Sequence, residues 1–279
     1  MNIAEVMNGK GLAAALGIVM VVMLLFCGCT TNEPVIEQTG ASDIQSNEVV
    51  QTQEKTYKVG IDVPYPPFSM LDANGKAIGF DVESIEWIAE DQGIKVEFIP
   101  TAWDGIIPAL QAKKIDMVYS GMTITEERKE KVNFSKPYWI VNQMVVVKEG
   151  SPVTLDDVES GKVIIGTQRG CTAAIWVDEN LINTKLMPES NLKLYDNTPL
   201  AVEDLITGRV DAVMYDSTVM LDIIAGKPVS KIGMIETNEE FGIAVRKDDT
   251  ELLETLNKGL DNLMGSPDWD ALKQKYKME

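Results

Sequence analysis

Residues 109–120 read ALQAKKIDMVYS, and residues 204–216 read DLITGRVDAVMYD. Each segment carries a helical end, a basic residue, Ile or Val, an aspartate and then an apolar strand run. Asp116 and Asp211 hold the same place in the two copies. A second echo pairs KVGID at 58–62 with KVIIGTQ at 162–168. The repeat predicts two halves with the same order of elements. Around these anchors, 57–62 (YKVGID) reads as a strand and 80–91 (FDVESIEWIAED) as an amphipathic helix. Strand 96–99, helix 105–112 and strand 115–119 complete the first half. Strands 163–166, 192–195 and 210–215 and helix 199–207 repeat the rhythm. Alternation of this kind predicts α/β layers with mainly parallel sheets.

Open α/β sheets bind ligands beyond the carboxyl ends of their strands. Four such ends are visible: Asp62 to Tyr65, Ser120 to Thr123, Gln168 to Thr172, and Tyr215 to Ser217. Two lobes facing each other bring these polar clusters together across a cleft.

Composition removes several chemistries. The chain of 279 residues contains no histidine, which excludes Ser-His-Asp and Cys-His catalysis and His-ligated zinc. Cys27, Cys29 and Cys171 give neither a disulfide framework nor metal-ligand spacing, and no cofactor is expected. A net charge of −18 argues against nucleic acid, whose phosphates need Lys and Arg. Apolar residues at 45% suffice for a sizeable core.

Residues 11–28, GLAAALGIVMVVMLLFCG, carry no charge and end on a small residue before Cys29. Residues 1–28 resemble a lipoprotein signal peptide, in which Cys29 becomes the lipid-modified N-terminus. An uncleaved apolar anchor is the alternative. Either arrangement holds the body at the outer face of the membrane. Residues 29–55 then form the anchor point and a polar linker without aromatics, with a coil reach on the order of 28 Å.

Six stretches in order carry a family resemblance: VGIDVPYPPF at 59–68, GFDVE at 79–83, WDGIIPAL at 103–110, KIDMVYSGMTITEER at 114–128, FSKPY at 134–138, and FGIAVRKDD at 241–249. Together they resemble the family 3 solute-binding proteins, receptors of polar amino acid ABC importers. The resemblance implies a periplasmic-binding-protein-like α/β fold, with two lobes joined by two hinge strands and a ligand cleft between them. Lobe 1 is expected from 56–142 plus 241–279. Lobe 2 is expected from 143–240, with 143–147 and 236–240 as the hinge strands. The implied partners are a polar amino acid, a cationic one among the candidates, and an ABC transporter permease. A sensor ectodomain, or a dehydratase-type enzyme on the same fold, is the alternative.

The candidate site residues follow. Arg128 is either a solvated helix arginine or a bidentate clamp for a carboxylate; the resemblance implies the clamp. Ser120, Gly121 and Thr123 are expected to add hydroxyl and backbone N–H donors at the same ligand end. Asp216 reads as a helix N-cap or, by resemblance, as the acceptor for the ligand ammonium in the opposite lobe. Thr172 matches a carboxylate contact, and Gln168 is placed beside it on the same loop. Cys171 is expected to be a small buried residue without redox function. Asp62, Tyr65 and Trp103 match positions facing the ligand side chain, with Tyr119 and Met70 as further wall candidates. Trp103 also reads as a hydrophobic staple, and Tyr65 with Phe68 as part of a proline turn.

Overall fold

The computed structural model describes residues 55–278. Two five-stranded sheets form the body. The first has Thr56–Ile61 at its heart, flanked in parallel by Lys95–Pro100 and Met117–Val118. Ala244–Val245 then joins antiparallel, followed by Asn133–Phe134. In the second, Ile165–Gln168 lies in parallel between Leu192–Tyr195 and Ala212–Asp216. Trp139–Lys148 pairs antiparallel with Ala212–Asp216, and Val229–Phe241 closes the edge. Both parallel trios follow the order second, first, third, with helices in the crossovers. These are Phe80–Gln92 and Trp103–Gln111 in one half, and Thr172–Val177 and Thr198–Thr207 in the other.

The internal echo is a physical repeat. Asp116 Oδ2 accepts the Lys58 N–H at 2.9 Å, and Asp211 Oδ2 accepts the Ile164 N–H at 2.8 Å. Each aspartate thus ties the third strand of its half to the start of the first. The match places Lys58 against Ile164, so aligning the two lysines was off by two residues. With that register Gly60 corresponds to Gly166. A Cβ at Gly60 would stand 2.3 Å from Ile115 Cδ1, and one at Gly166 would stand 3.3 Å from Val210 Cγ2. A β-branched residue just before the aspartate, Ile115 or Val210, packs over the equivalent bare backbone in each half.

The segments expected as hinges fall inside longer strands, Trp139–Lys148 and Val229–Phe241. Their ladder continues past the second sheet to Trp139 and Phe241. There Phe68, fully buried, meets Phe241, Phe80 and Trp139 at centroid distances of 5.5, 6.1 and 6.3 Å. This aromatic cluster fixes where the crossing strands leave the first lobe. Helices Thr250–Met264 and Pro267–Lys275 return to cover Phe80–Gln92, with Trp269 edge-to-face against Phe80 at a centroid distance of 4.9 Å.

Asp81, in the first turn of Phe80–Gln92, is fully buried. Its Oδ2 accepts the Gly121 N–H at 2.8 Å and the Tyr138 hydroxyl at 2.9 Å. Burial pushes its carboxyl up to about 7, against these two bonds. Between the unfolded value of 3.8 and about 7 the folded state therefore holds a proton that the unfolded state releases. Stability from this group falls as pH rises through that window, by up to about 1.4 kcal/mol per pH unit, and levels off above it. Asp81→Asn should flatten the decline measured by urea unfolding across this range. An unchanged slope would show that the carboxyl ionises at its ordinary pH.

Candidate functional site

The four polar strand ends meet at one place. Tyr65 follows the first strand in the turn closed by the Tyr65–Ser69 backbone pair. Its hydroxyl donates to Asp216 Oδ2 of the other half at 2.7 Å. Asp216 ends the strand Ala212–Asp216 and occupies the cap position of helix Ser217–Ile224, yet its side chain makes no cap bond. The carboxylate turns inward instead, and Gln143 Nε2 donates to its Oδ1 at 2.7 Å. Burial pushes Asp216 up to about 7, the charge of Glu239 adds to this, and Tyr65, Gln143 and Arg128 oppose it.

Arg128 lies inside helix Glu126–Lys131, capped by the Thr125 side chain. It is buried rather than solvated, at 6% exposure. Its guanidinium donates to the Thr123 carbonyl at 2.8 Å and across the cleft to the Gly170 carbonyl at 3.1 Å. The guanidinium also sits 5.2 Å over the Trp103 ring, and Trp103 Nε1 donates to the same Gly170 carbonyl at 3.1 Å. Burial lowers its pKa, but an arginine keeps its proton. With two of five donors committed, the rest of the fork can take a carboxylate.

A small cavity of about 10 Å³ lies between these groups, walled by Tyr65, Gly121, Thr123, Arg128, Thr172 and Asp216, together with Trp103, Cys171 and Tyr215. Arg128 and Asp216 therefore face one space from opposite lobes. Gly121 has φ +54, and a Cβ there would stand 2.5 Å from the Tyr65 ring; only glycine lets Tyr65 pass.

Several expectations need correction. The Gly121 N–H is committed to Asp81 and to Tyr138 within its own lobe, so it is not a free donor at the cavity. Ser120 does not border the cavity; its Oγ accepts the Asp62 N–H at 2.9 Å and contacts Ser69 Oγ at 2.7 Å. Gln168 does not stand beside Thr172. It crosses to Asp62, Nε2 to Oδ2 at 2.8 Å, while its Oε1 accepts the Tyr215 hydroxyl. Asp62 thus lies behind the cavity wall, and burial pushes its carboxyl up to about 6. Tyr119 is a core residue edge-to-face with Tyr138 at a centroid distance of 4.9 Å, and Met70 lies in the small Met70–Leu71/Ala77–Ile78 hairpin; neither borders the cavity. Cys171 is buried, its thiol 3.2 Å from Thr167 Oγ1 and pushed up to about 11 by burial.

Sequence reasoning named Tyr215 only as part of a strand-end cluster, without a role, and missed Gln143 and Glu239. Gln143 Nε2 also donates to Glu239 Oε1 at 2.8 Å, and Thr123 Oγ1 donates to Glu239 Oε2 at 2.9 Å. Tyr215 was within reach, as the residue before Asp216 at a strand end. The other two sit in strand segments whose pattern signals only a crossing. Cys29 lies outside the described residues.

Comparison with known proteins bears on the family and the fold. The sequence model of the bacterial extracellular solute-binding proteins, family 3, matches residues 57–279. A probable histidine-binding protein of Neisseria gonorrhoeae is 33% identical over 228 residues, which is 80% of this chain and 83% of that protein. An L-cystine-binding protein of Escherichia coli is 32% identical over 226 residues, 79% and 82% of the two chains. The solved structure of an ancestral arginine-binding protein bound to arginine has a TM-score of 0.72 at 41% identity, covering 79% of this chain and 97% of that one. The chain belongs to the bacterial extracellular solute-binding proteins of family 3.

Proposed function

We propose that this protein captures an amino acid outside the cell by closing two lobes on it, and passes it to the permease of an ABC importer. The observation that carries the reading is the placement of Arg128 and Asp216 on one cavity from opposite lobes. A zwitterion presents a carboxylate and an ammonium, and neither lobe alone meets both. Lobe 1 comprises 56–142 with 241–279, and lobe 2 comprises 143–240. The two strands between them supply the hinge. Thr172 adds a hydroxyl at the carboxylate end, the Thr123 hydroxyl being tied to Glu239, and Tyr65 and Trp103 wall the side-chain end. Asp62 lies behind the side-chain end, and its negative charge favours a cationic side chain. Ser120, Gly121 and Gln168 hold these groups in place. The activity is binding and release without chemistry, in keeping with relatives named for histidine, cystine and arginine binding. Residues 1–28 direct export, Cys29 carries the lipid, and 29–55 give the body room to meet the permease.

Removing one partner of a buried charged contact costs about 2–5 kcal/mol, because the other charge stays desolvated. Arg128→Ala and Asp216→Ala should each weaken amino acid binding by roughly 30-fold to several thousand-fold. Arg128→Lys should fail as well, since a point charge does not reproduce the fork. Asp62→Asn should instead change which side chains are preferred. Calorimetry against the standard amino acids, with circular dichroism as the folding control, measures all four. Native affinity in a folded Arg128→Ala protein would falsify the clamp. For the tether, Cys29→Ser should release the protein from membranes or leave the precursor unprocessed. Unaltered processing and no lost lipid label would favour the uncleaved anchor.

A further inference from the structure

Glu239 lies on the second crossing strand, next to the point where that strand enters the first lobe. Tyr65, Asp216, Gln143, Glu239 and Thr123 form one hydrogen-bonded chain, with links of 2.7, 2.7, 2.8 and 2.9 Å. It starts and ends in the first lobe, and it passes through the second lobe and both crossing strands. Gln143 is the ladder partner of Asp216 on one side and of Ile235 on the other. The next pair along is Glu239 with Val141, so the second strand carries extra residues here. That bulge is fastened. Asn142 Oδ1 accepts the Asn238 N–H at 2.8 Å, Asn142 Nδ2 donates to Glu236 at 3.0 Å, and Asn238 adopts φ 49. Bulges re-aim side chains, and this one delivers Glu239 to Gln143.

The arrangement is costly for a strut. Two carboxylates share one amide nitrogen, so their charges repel at close range in a half-buried setting. A neutral side chain at 239 could brace the hinge without that repulsion. An ammonium beside Asp216 reverses the sign, because each carboxylate then attracts it. Around Asp216 the other charged or titratable groups are Arg128, Tyr65, Tyr215 and Cys171. Only Arg128 among them is cationic.

We propose that Glu239 is a positioning residue for solute capture, orienting Asp216 through Gln143 and adding a second negative charge at the ammonium end from the hinge. The inference rests on the reading of Asp216 as the ammonium acceptor. It assigns to one hinge residue both the strength of binding and the pH at which binding fades. The upward push that Glu239 exerts on Asp216 agrees with it.

The test uses the full chain in detergent as wild type, Glu239→Gln and Asp216→Asn. The probe is whichever standard L-amino acid the wild type binds most tightly by calorimetry. Titrations run from about pH 5 to 9, alongside carbon-13 carboxyl NMR of Asp216. The glutamine keeps the shape and can still accept from Gln143. Glu239→Gln should weaken binding about tenfold at pH 8. It should also move the acid limb of binding and the Asp216 midpoint down by about one pH unit, because a like charge is gone. An unmoved midpoint, or an unmoved Kd, overturns the proposal; weaker binding with an unmoved midpoint makes Glu239 a strut only. Asp216→Asn with native affinity overturns the ammonium assignment instead, as does a wild type that binds none of the amino acids.

Discussion

A carboxylate held away from water governs this molecule. Asp216 is 6% exposed, and burial alone drives it toward the neutral acid. Its charge is tolerable only where donors and cations converge, and those donors come from different parts of the chain. Tyr65 reaches it from the first lobe, Gln143 from a crossing strand, and Arg128 supplies the facing positive charge. The requirement is met only with the lobes together. Exposed pairs such as Lys129–Glu126 and Lys131–Glu127 contribute little by comparison, since solvent screens them.

The rest of the site is framing for that contact. Asp81 is buried under the loop that carries Gly121, and it fixes the peptide over which Tyr65 passes. The Gly170 carbonyl receives both Arg128 and Trp103, so one backbone oxygen locates the guanidinium and its aromatic neighbour. Asp62 and Gln168 are equivalent strand ends of the two halves, and they meet face to face across the cleft.

Much of this was legible in the sequence because it depends on short-range pattern. The Asp116 and Asp211 echo was visible as residues, and both side chains turn out to bind the first strand of their half. Its register was not visible: Lys58 and Lys162 look alike, but what the fold repeats is a bare glycine beneath Ile115 and beneath Val210. Arg128 and Asp216 stood out through motif and strand end. The commitments of donors did not. Whether the Gly121 N–H points to a cavity or to Asp81, and whether Gln168 turns to Thr172 or Asp62, depends on contacts between residues far apart in the chain. Glu239 was hidden for a similar reason. A bulge sets its direction, and nothing in TNEEF at 237–241 marks one.

The order of strands also fixes an order of assembly. Every strand of the second sheet lies between Trp139 and Phe241, so that sheet can be completed from one continuous stretch. The first sheet cannot. Ala244–Val245 sits between Met117–Val118 and Asn133–Phe134, and without it Asn133–Phe134 has no neighbour to pair with. A chain emerging from its amino end, from a ribosome or through a membrane, therefore finishes the inserted lobe first. The lobe whose strands come earliest keeps the outer edge of Met117–Val118 and all of Asn133–Phe134 unpaired until Ala244–Val245 arrives. Holding that early segment unpaired is a kinetic burden of long-range contacts. It falls on the half that carries Tyr65 and Arg128, whose sheet is complete only once Ala244–Val245 has arrived.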